Sequence, residues 1–130
     1  MLRELSIRNF AIIDDLNIRL SPGLTILSGE TGAGKSIVIN AVNLLLGSRA
    51  SGRLIRTGAE AAELEALFEI QPGSATAAAL DRHGYDRSEE LLIRRVISRS
   101  GQNRVHINAK LATMQMLAAL TEKQASISGQ

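Results

Sequence analysis

Two short segments near the start of the chain alternate between apolar and polar residues. Residues 4–8 and 16–20 place an apolar side chain at every second position. This period of two predicts half-buried strands, because successive side chains in a strand point to opposite faces of a sheet. We expect an antiparallel pair connected through residues 9–15, in which Asp14 and Asp15 help to form the turn.

The apolar pattern then changes from the period of a strand to that of a helix. Residues 24–27 form a mostly apolar run, which predicts a buried strand. In residues 37–46 the apolar positions recur three and four apart, which predicts a helix that ends at Gly47. The next segment, residues 47–58, has no period and is expected to be a surface loop. The arginines in this loop are Arg49, Arg53 and Arg56.

The second half of the chain continues this alternation of short strands and helices. Residues 63–70 predict a strand with one wet face. Ser74 is expected to cap a short helix through His83, with Gly84 at its end. Further predicted elements are strands over residues 91–99 and 104–107 joined as a hairpin, a helix capped by Thr113, and a short strand over residues 125–128. The pattern predicts an α/β fold.

Composition narrows the class of protein. A chain of 130 residues with 45% apolar and 2% aromatic residues can form one domain with an aliphatic core. The absence of cysteine excludes disulfides and thiolate metal sites. No apolar run approaches the roughly 18 residues of a membrane span, so we expect a cytoplasmic protein without membrane contact. The net charge of +2 leaves the arginines of residues 87–104 open to two interpretations, a local basic patch or an ordinary solvated surface.

Residues 29–36 carry the clearest chemical signal in the chain. They fill every fixed position of the phosphate-binding pattern G-x-x-x-x-G-K-[ST], between a predicted strand and a predicted helix. Backbone N–H groups in such a loop turn toward phosphate oxygens, and the helix that begins near Lys35 adds its positive end. Lys35 supplies a charge for the outer phosphates, and Ser36 offers its hydroxyl to Mg²⁺. The predicted nucleotide-binding residues are Gly29, Glu30, Thr31, Gly32, Ala33, Gly34, Lys35 and Ser36.

Other groups that a complete phosphate-transfer site needs are missing from the pattern. After residue 36 no predicted strand is followed by an aspartate that could hold Mg²⁺. His83 and His106 have no second ligand at metal-binding spacing and are expected to be structural or surface residues. Tyr85 is only a weak candidate for stacking on a base. We therefore expect the nucleotide-binding portion of a larger catalytic unit.

Several segments together resemble one protein family. Asn-Phe-Ala-Ile-Ile at residues 9–13, the phosphate loop with its approach at 27–36, Gly-Ser-Arg-Ala at 47–50 and Arg-Arg-Val-Ile-Ser at 94–98 resemble the amino-terminal head segment of the RecN family. RecN proteins are bacterial DNA repair proteins of the SMC-like branch of ABC-type ATPases. The likeness reaches Ser-Gly-Gln at 128–130 and so covers essentially the whole chain. The loop is shared by many families, whereas the opening and the Arg-Arg strand single out this one.

The resemblance implies a fold, cofactors and a further site residue. It implies a P-loop NTPase of the ABC/SMC head type, with mixed and antiparallel strands around the phosphate-loop strand and helix. Residues 1–130 would form its N-terminal half. In the family the glutamine of the Ser/His-Gly-Gln segment helps to hold Mg²⁺ and the attacking water, a catalytic and metal-binding role that carries over to Gln130. Ser128 stands where the family has histidine. The implied cofactors are ATP and Mg²⁺.

The resemblance also implies partners for this half. A RecN-like protein continues into a long antiparallel coiled coil and returns with the signature motif, the second acidic strand and the switch histidine. The implied partners are therefore the C-terminal half of the same head, a second copy that closes over ATP, and broken or single-stranded DNA. The fragment alone is then expected to be inactive in hydrolysis.

The residues leave two other classes of protein open. One is a self-contained small P-loop nucleotide kinase or GTPase, which would need an acidic metal partner within these residues. The other is a DNA-binding module whose phosphate loop is vestigial, which would bind DNA in a salt-sensitive way that ignores ATP.

Overall fold

The computed structural model describes residues 2–19, 32–49, 52–85 and 89–121. Within these ranges it contains six strands: β1 (Leu2–Phe10), β2 (Ile13–Arg19), β3 (Ala61–Glu69), β4 (Glu90–Ser98), β5 (Asn103–Ile107) and β6 (Lys110–Ala112). The helices of the same ranges are α1 (Gly32–Leu45), α2 (Ala75–Arg82) and α3 (Met114–Thr121), with a short 3₁₀ turn at Gly52–Leu54. The predicted strands over residues 24–27 and 125–128 lie outside the described residues.

The described strands form one antiparallel sheet in the order β2-β1-β3-β4-β5-β6. The predicted strand pair at the start of the chain and the later hairpin are both confirmed. The register brings apolar residues of successive strands to the same face. One row across the sheet runs through Leu5, Ala66, Ile93 and Ile107.

The first hairpin is tighter than the sequence predicted. Only Ala11 and Ile12 separate β1 from β2. The predicted turn role of Asp14 and Asp15 is therefore wrong, because both residues lie in β2. Asp15 is opposite Arg8 of β1, and opposite charges at a cross-strand position favour strand pairing. Turn propensity alone could not show that this pairing partner was present.

The two faces of the sheet differ in what covers them. On the helix-bearing face, α1 packs on β3 and β4, and α3 packs on β5. Its largest fully buried apolar side chains are Phe10, Phe68, Leu5, Ile7, Leu64, Leu91, Ile93, Ile97 and Ile107. The opposite side, which we call the charged face, carries the ion-paired residues Arg8, Glu63 and Arg94. Burial alternates residue by residue along β3 and β4, as the period of two requires.

Local capping signals were read correctly from the sequence. Gly47 follows the end of α1 with a φ of 111°, and Gly84 follows α2 with a φ of 83°. Both values lie in the left-handed region that glycine adopts without steric cost. Ser74 Oγ accepts a hydrogen bond from the backbone N–H of Ala77 at 3.1 Å. Thr113 caps α3 in the same way.

The structure adds one strand that the sequence pattern did not predict. Asn108 and Ala109 have φ values of 48° and 70°, and their turn folds β6 back onto β5. The Asn108 side chain also accepts a hydrogen bond from the Leu92 backbone N–H at 2.8 Å. Because β6 has only three residues, alternation within it is too short to mark a strand.

Candidate nucleotide-binding site

The described part of the predicted site is the N-terminal end of α1. This helix begins at Gly32, whereas the sequence predicted a start near Lys35, so the second half of the phosphate-binding motif is itself helical. The first backbone N–H groups of a helix have no acceptor within it and lie at the positive end of its dipole. The first turn contains no acidic residue. This end of α1 is therefore suited to an anionic phosphate group.

The predicted site residues divide between described and undescribed parts of the chain. Ser36 is solvent-exposed on the helix, so its hydroxyl group is accessible to a metal ion. The other motif residues whose backbone lies in α1 are Gly32, Ala33, Gly34 and Lys35. Four predicted site residues lie outside the described ranges: Gly29, Glu30, Thr31 and Gln130. Their roles stay predictions.

The opposite end of α1 is fixed to the sheet by a buried arginine. Arg95 of β4 donates from Nη1 to the carbonyl oxygens of Leu44 at 2.6 Å and Ser48 at 2.5 Å. The residue is 2% exposed, and burial lowers the pKa of its guanidinium group. Because the carbonyl end of a helix is the negative end of its dipole, this is a favourable place for a cation.

A second helix holds the same end of α1. The Oγ1 atom of Thr121 lies 2.7 Å from the carbonyl oxygen of Leu46 and 2.7 Å from that of Leu117. A Cβ atom built on Gly47 would lie 3.6 Å from Cα of Ala118. Elements α1, β4 and α3 therefore meet at one point. We call it the α1 junction and define it by Arg95, Thr121 and the carbonyl groups that they bind.

Comparison with known proteins assigns the family. The model of the family described as AAA domain matches residues 4–127, which is nearly the whole chain. The chain belongs to the AAA domain family. A nucleotide-binding assignment for the N-terminal end of α1 agrees with this membership.

Relatives of this AAA domain chain are similar along its full length. It is 45% identical to "DNA repair protein RecN" of Bacillus subtilis (strain 168), in an alignment that covers 100% of this chain and 23% of the relative. It is 39% identical to "DNA repair protein RecN" of Xylella fastidiosa (strain Temecula1), with the same coverage. The chain thus spans about a quarter of the length of these relatives. The resemblance to RecN proteins is confirmed.

Solved structures share the fold of the AAA domain chain. One is an SMC ATPase structure from work on ATP-driven dimerization and DNA-stimulated activation. It has a TM-score of 0.72 at 24% identity, and the match covers 98% of this chain and 79% of the SMC chain. The structure of the recombination mediator protein RecF with ATPγS has a TM-score of 0.68 at 17% identity. The match covers 90% of this chain and 29% of the RecF chain. The predicted ABC/SMC head-type fold is confirmed.

One arginine of the predicted surface loop, Arg56, makes backbone contacts in this AAA domain. Arg56 donates from Nη1 to the carbonyl oxygen of Ile12 at 2.9 Å. Its own carbonyl oxygen accepts from Nη2 of Arg99 at 3.1 Å. The segment is irregular, as predicted, but Ile55 is buried within it and forms a β-bridge with Phe10. These contacts give Arg56 and Arg99 a structural role at the end of the first hairpin.

His83 and Tyr85, the other candidates from the sequence, have structural roles in the fold. His83 is the C-cap of α2. Tyr85 is buried, with Nζ of Lys110 5.5 Å from its ring centre, so the ring offers no open face for a base. Burial raises the pKa of the Tyr85 hydroxyl. Among the described residues there is no cluster of histidine and acidic side chains that could hold a metal ion. No helix in this described part is long and apolar enough to span a membrane.

Sequence reasoning missed Arg95. The residue has the same parity along β4 as Ile93 and Ile97, which are buried on the helix-bearing face. That parity was the available signal, since residues two apart in a strand lie on the same face of the sheet. What the arginine binds depends on α1, about 50 residues earlier in the chain, and so could not be read from the strand alone.

Proposed function

We propose that this chain is the ATP-binding part of an ATPase that acts in DNA double-strand-break repair and recombination. The observation that carries the proposal is the complete phosphate-binding motif at residues 29–36, whose second half forms the N-terminal end of α1. Relatives named DNA repair protein RecN, similar over the whole chain, support the biological role.

The motif residues have distinct roles in this proposal. The backbone N–H groups of residues 29–36 surround the phosphate oxygens, and the positive end of the α1 dipole favours their negative charge. Lys35 neutralises the outer phosphates as charge moves during hydrolysis. When bound, Mg²⁺ would supply positive charge that neutralises negative charge on the phosphates. Ser36, which is exposed, and Gln130 would hold this ion, and Gln130 would also orient the attacking water.

The proposal assigns the rest of the catalytic apparatus to other polypeptide. No strand that the sequence predicts after residue 36 ends in an aspartate suited to Mg²⁺. We therefore place residues 1–130 as the N-terminal half of an ABC/SMC-type head. The C-terminal half supplies the signature motif and the acidic strand. In the full-length protein a pair of such heads closes over ATP and acts on broken or single-stranded DNA in the bacterial cytoplasm. The ATP-driven dimerization named for an SMC ATPase of the same fold supports this arrangement.

The test compares two lysine variants of the full-length protein. Lys35→Ala should weaken ATP binding at least tenfold and abolish hydrolysis, because the charge on the outer phosphates is lost. Lys110→Ala, a change to a lysine of β6 outside the motif, should leave both unchanged. Binding is measured by titrating a fluorescent ATP analogue with Mg²⁺ present, and hydrolysis by phosphate release.

Other outcomes would point to the other classes of protein. Steady ATP hydrolysis by residues 1–130 alone, lost in Lys35→Ala, would contradict the missing-half assignment and favour a self-contained P-loop enzyme. DNA binding that falls with salt, in a protein that binds no ATP, would favour a DNA-binding module with a vestigial loop.

A further inference from the structure

Arg95 is a charged residue at a buried position of β4, on the face where the neighbouring side chains of the strand are apolar. Its neighbours of the same parity on β4 are Leu91, Ile93 and Ile97, each 2% exposed or less. Its Nη1 atom binds two carbonyl oxygens at the end of α1, and its buried Nε atom has no partner within the described residues. Well-packed apolar residues can often replace a buried ion pair without loss of stability, so a buried charged group is weak evidence of a stabilising role. Stability of the core alone therefore does not explain this arginine.

Helix capping does not explain it either. The backbone N–H of Gly47 already donates to the Leu44 carbonyl at 3.2 Å, and that of Ser48 donates to the Asn43 carbonyl at 3.1 Å. These bonds form a Schellman motif, which satisfies carbonyl groups at the end of α1 without a side chain. The bond from Arg95 to Leu44 is thus a second bond to an oxygen that has one. Its distinct effect is to connect α1 to β4.

The position of this end of α1 determines where the phosphate-binding end lies. α1 has 14 residues, and at a rise of about 1.5 Å per residue it is a rod about 21 Å long. A tilt or slide of a rod moves both of its ends. A shift of about 1 Å at the carbonyl end would therefore displace the first-turn N–H groups by a comparable distance, which is enough to spoil several hydrogen bonds to phosphate.

We infer that Arg95 is a positioning residue for nucleotide binding, which fixes the N-terminal end of α1 by holding its C-terminal end against the sheet. The inference rests on the proposed function, since it assigns the residue to the same site. Thr121 acts at the same α1 junction from α3, but through one hydroxyl group. Arg95 makes the two bonds and carries the charge that the helix dipole stabilises.

The test uses three variants of the full-length protein. Arg95→Met removes both hydrogen bonds and keeps an unbranched apolar side chain. Arg95→Lys keeps a cation that can reach one carbonyl group. Arg94→Met is the matched control, because Arg94 is the adjacent residue but faces the other side of the sheet, where it pairs with Glu63. Each protein is measured for ATP affinity, and for amide hydrogen exchange of residues 34–38 without nucleotide.

The expected order of ATP affinity separates positioning from general stability. Arg95→Met should bind ATP about tenfold or more weakly, Arg95→Lys should recover part of that loss, and Arg94→Met should bind like the native protein. Exchange of residues 34–38 should rise in Arg95→Met before nucleotide is added. Native affinity and native exchange in Arg95→Met would overturn the inference. If that variant does not fold, the decision passes to Arg95→Lys, where a three- to tenfold loss supports the inference and native affinity overturns it.

The exchange measurement keeps this inference distinct from the proposed function. If the native protein binds no ATP, the proposed function fails. A rise in exchange at residues 34–38 in Arg95→Met, absent in Arg94→Met, would still show that Arg95 fixes the far end of α1. If ATP binds and depends on Lys35 but not on Arg95, the proposed function stands and the positioning role is wrong.

Discussion

Arg94 and Arg95 are neighbours on β4, and they show how differently the two faces of the sheet use the same side chain. Arg94 lies on the charged face, where its guanidinium group pairs with Glu63 and its side chain is 43% exposed. Arg95 lies on the helix-bearing face, where it is 2% exposed and binds the carbonyl end of α1. On the charged face, the arginine pairs with a carboxylate. On the helix-bearing face, the arginine interacts with the negative end of a helix dipole.

The two faces of the sheet contribute differently to the stability of this domain and to the position of α1. Ion pairs in partly hydrated surroundings contribute little each, because water and salt screen them. On the helix-bearing face, apolar burial supplies most of the stability, and the polar contacts there fix the position of a helix. Substitutions on the two faces should therefore differ in size and in what they change.

The largest expected effect is the removal of a large core side chain. Phe68→Ala should lower the free energy of unfolding by about 3–5 kcal/mol, through lost burial and the cavity that remains. The adjacent Leu67→Ala, a half-buried position on the charged face, should cost only about 1–2 kcal/mol. Urea unfolding followed by circular dichroism measures both. Equal losses would show that the two faces do not differ as described.

A smaller effect is expected at the α1 junction. Thr121→Val keeps the shape of the side chain but leaves the Leu46 carbonyl without its hydroxyl donor. The free energy of unfolding should fall by about 0.5–1.5 kcal/mol, whereas Thr121→Ser, which retains the hydroxyl, should lose less. Parallel urea titrations of the two variants make the comparison. A serine variant that is less stable than the valine variant would assign the effect to packing.

Breaking the ion pairs of the charged face should have a still smaller effect. Glu63→Gln removes the partner of both Arg8 and Arg94, yet the expected loss is below about 1 kcal/mol because all three side chains are partly exposed. The difference from the native protein should vanish in about 1 M salt, where the screening length falls to about 3 Å. Urea midpoints at low and high salt test this. A loss that persists at high salt would mean that Glu63 acts through packing.

The smallest effect is confined to alkaline pH. Burial raises the pKa of Tyr85 above its ordinary value of 10.0. The unfolded chain therefore loses the tyrosine proton first, so the contribution of Tyr85 is complete below pH 10 and is lost as pH rises through the folded pKa. The difference in stability between Tyr85→Phe and the native protein should be constant up to about pH 9. Above about pH 10 the variant should become more stable relative to the native protein. Thermal unfolding across this range measures the difference.

Most of the fold followed from local patterns. Ser74 and Gly84 marked the ends of α2 because capping depends on residues a few positions apart. Alternation predicted β3 and its buried face, and β4 was predicted as the first strand of a hairpin. Asp14 and Asp15 were misassigned because turn propensity does not reveal a pairing partner such as Arg8. The short strand β6 depends on a left-handed turn at Asn108 and Ala109, which the apolar pattern does not show.

The sequence predicted the chemistry of the candidate site but not the contacts that hold α1 in place. The motif at residues 29–36 predicts phosphate binding because its glycines, lysine and serine have fixed roles at fixed spacings, and this stays a prediction. The sequence predicted that α1 begins near Lys35 rather than at Gly32, and it did not indicate that Arg95 and Thr121 hold the other end of the helix. These contacts join residues that are distant in sequence, so they depend on the tertiary arrangement.

The most direct test of the account is a structure of the full-length protein bound to Mg²⁺ and a non-hydrolysable ATP analogue. We expect the triphosphate to lie against the backbone N–H groups of residues 29–36, with Lys35 at the outer phosphates and Ser36 at the metal ion. A nucleotide bound elsewhere, with the N-terminal end of α1 left empty, would contradict it.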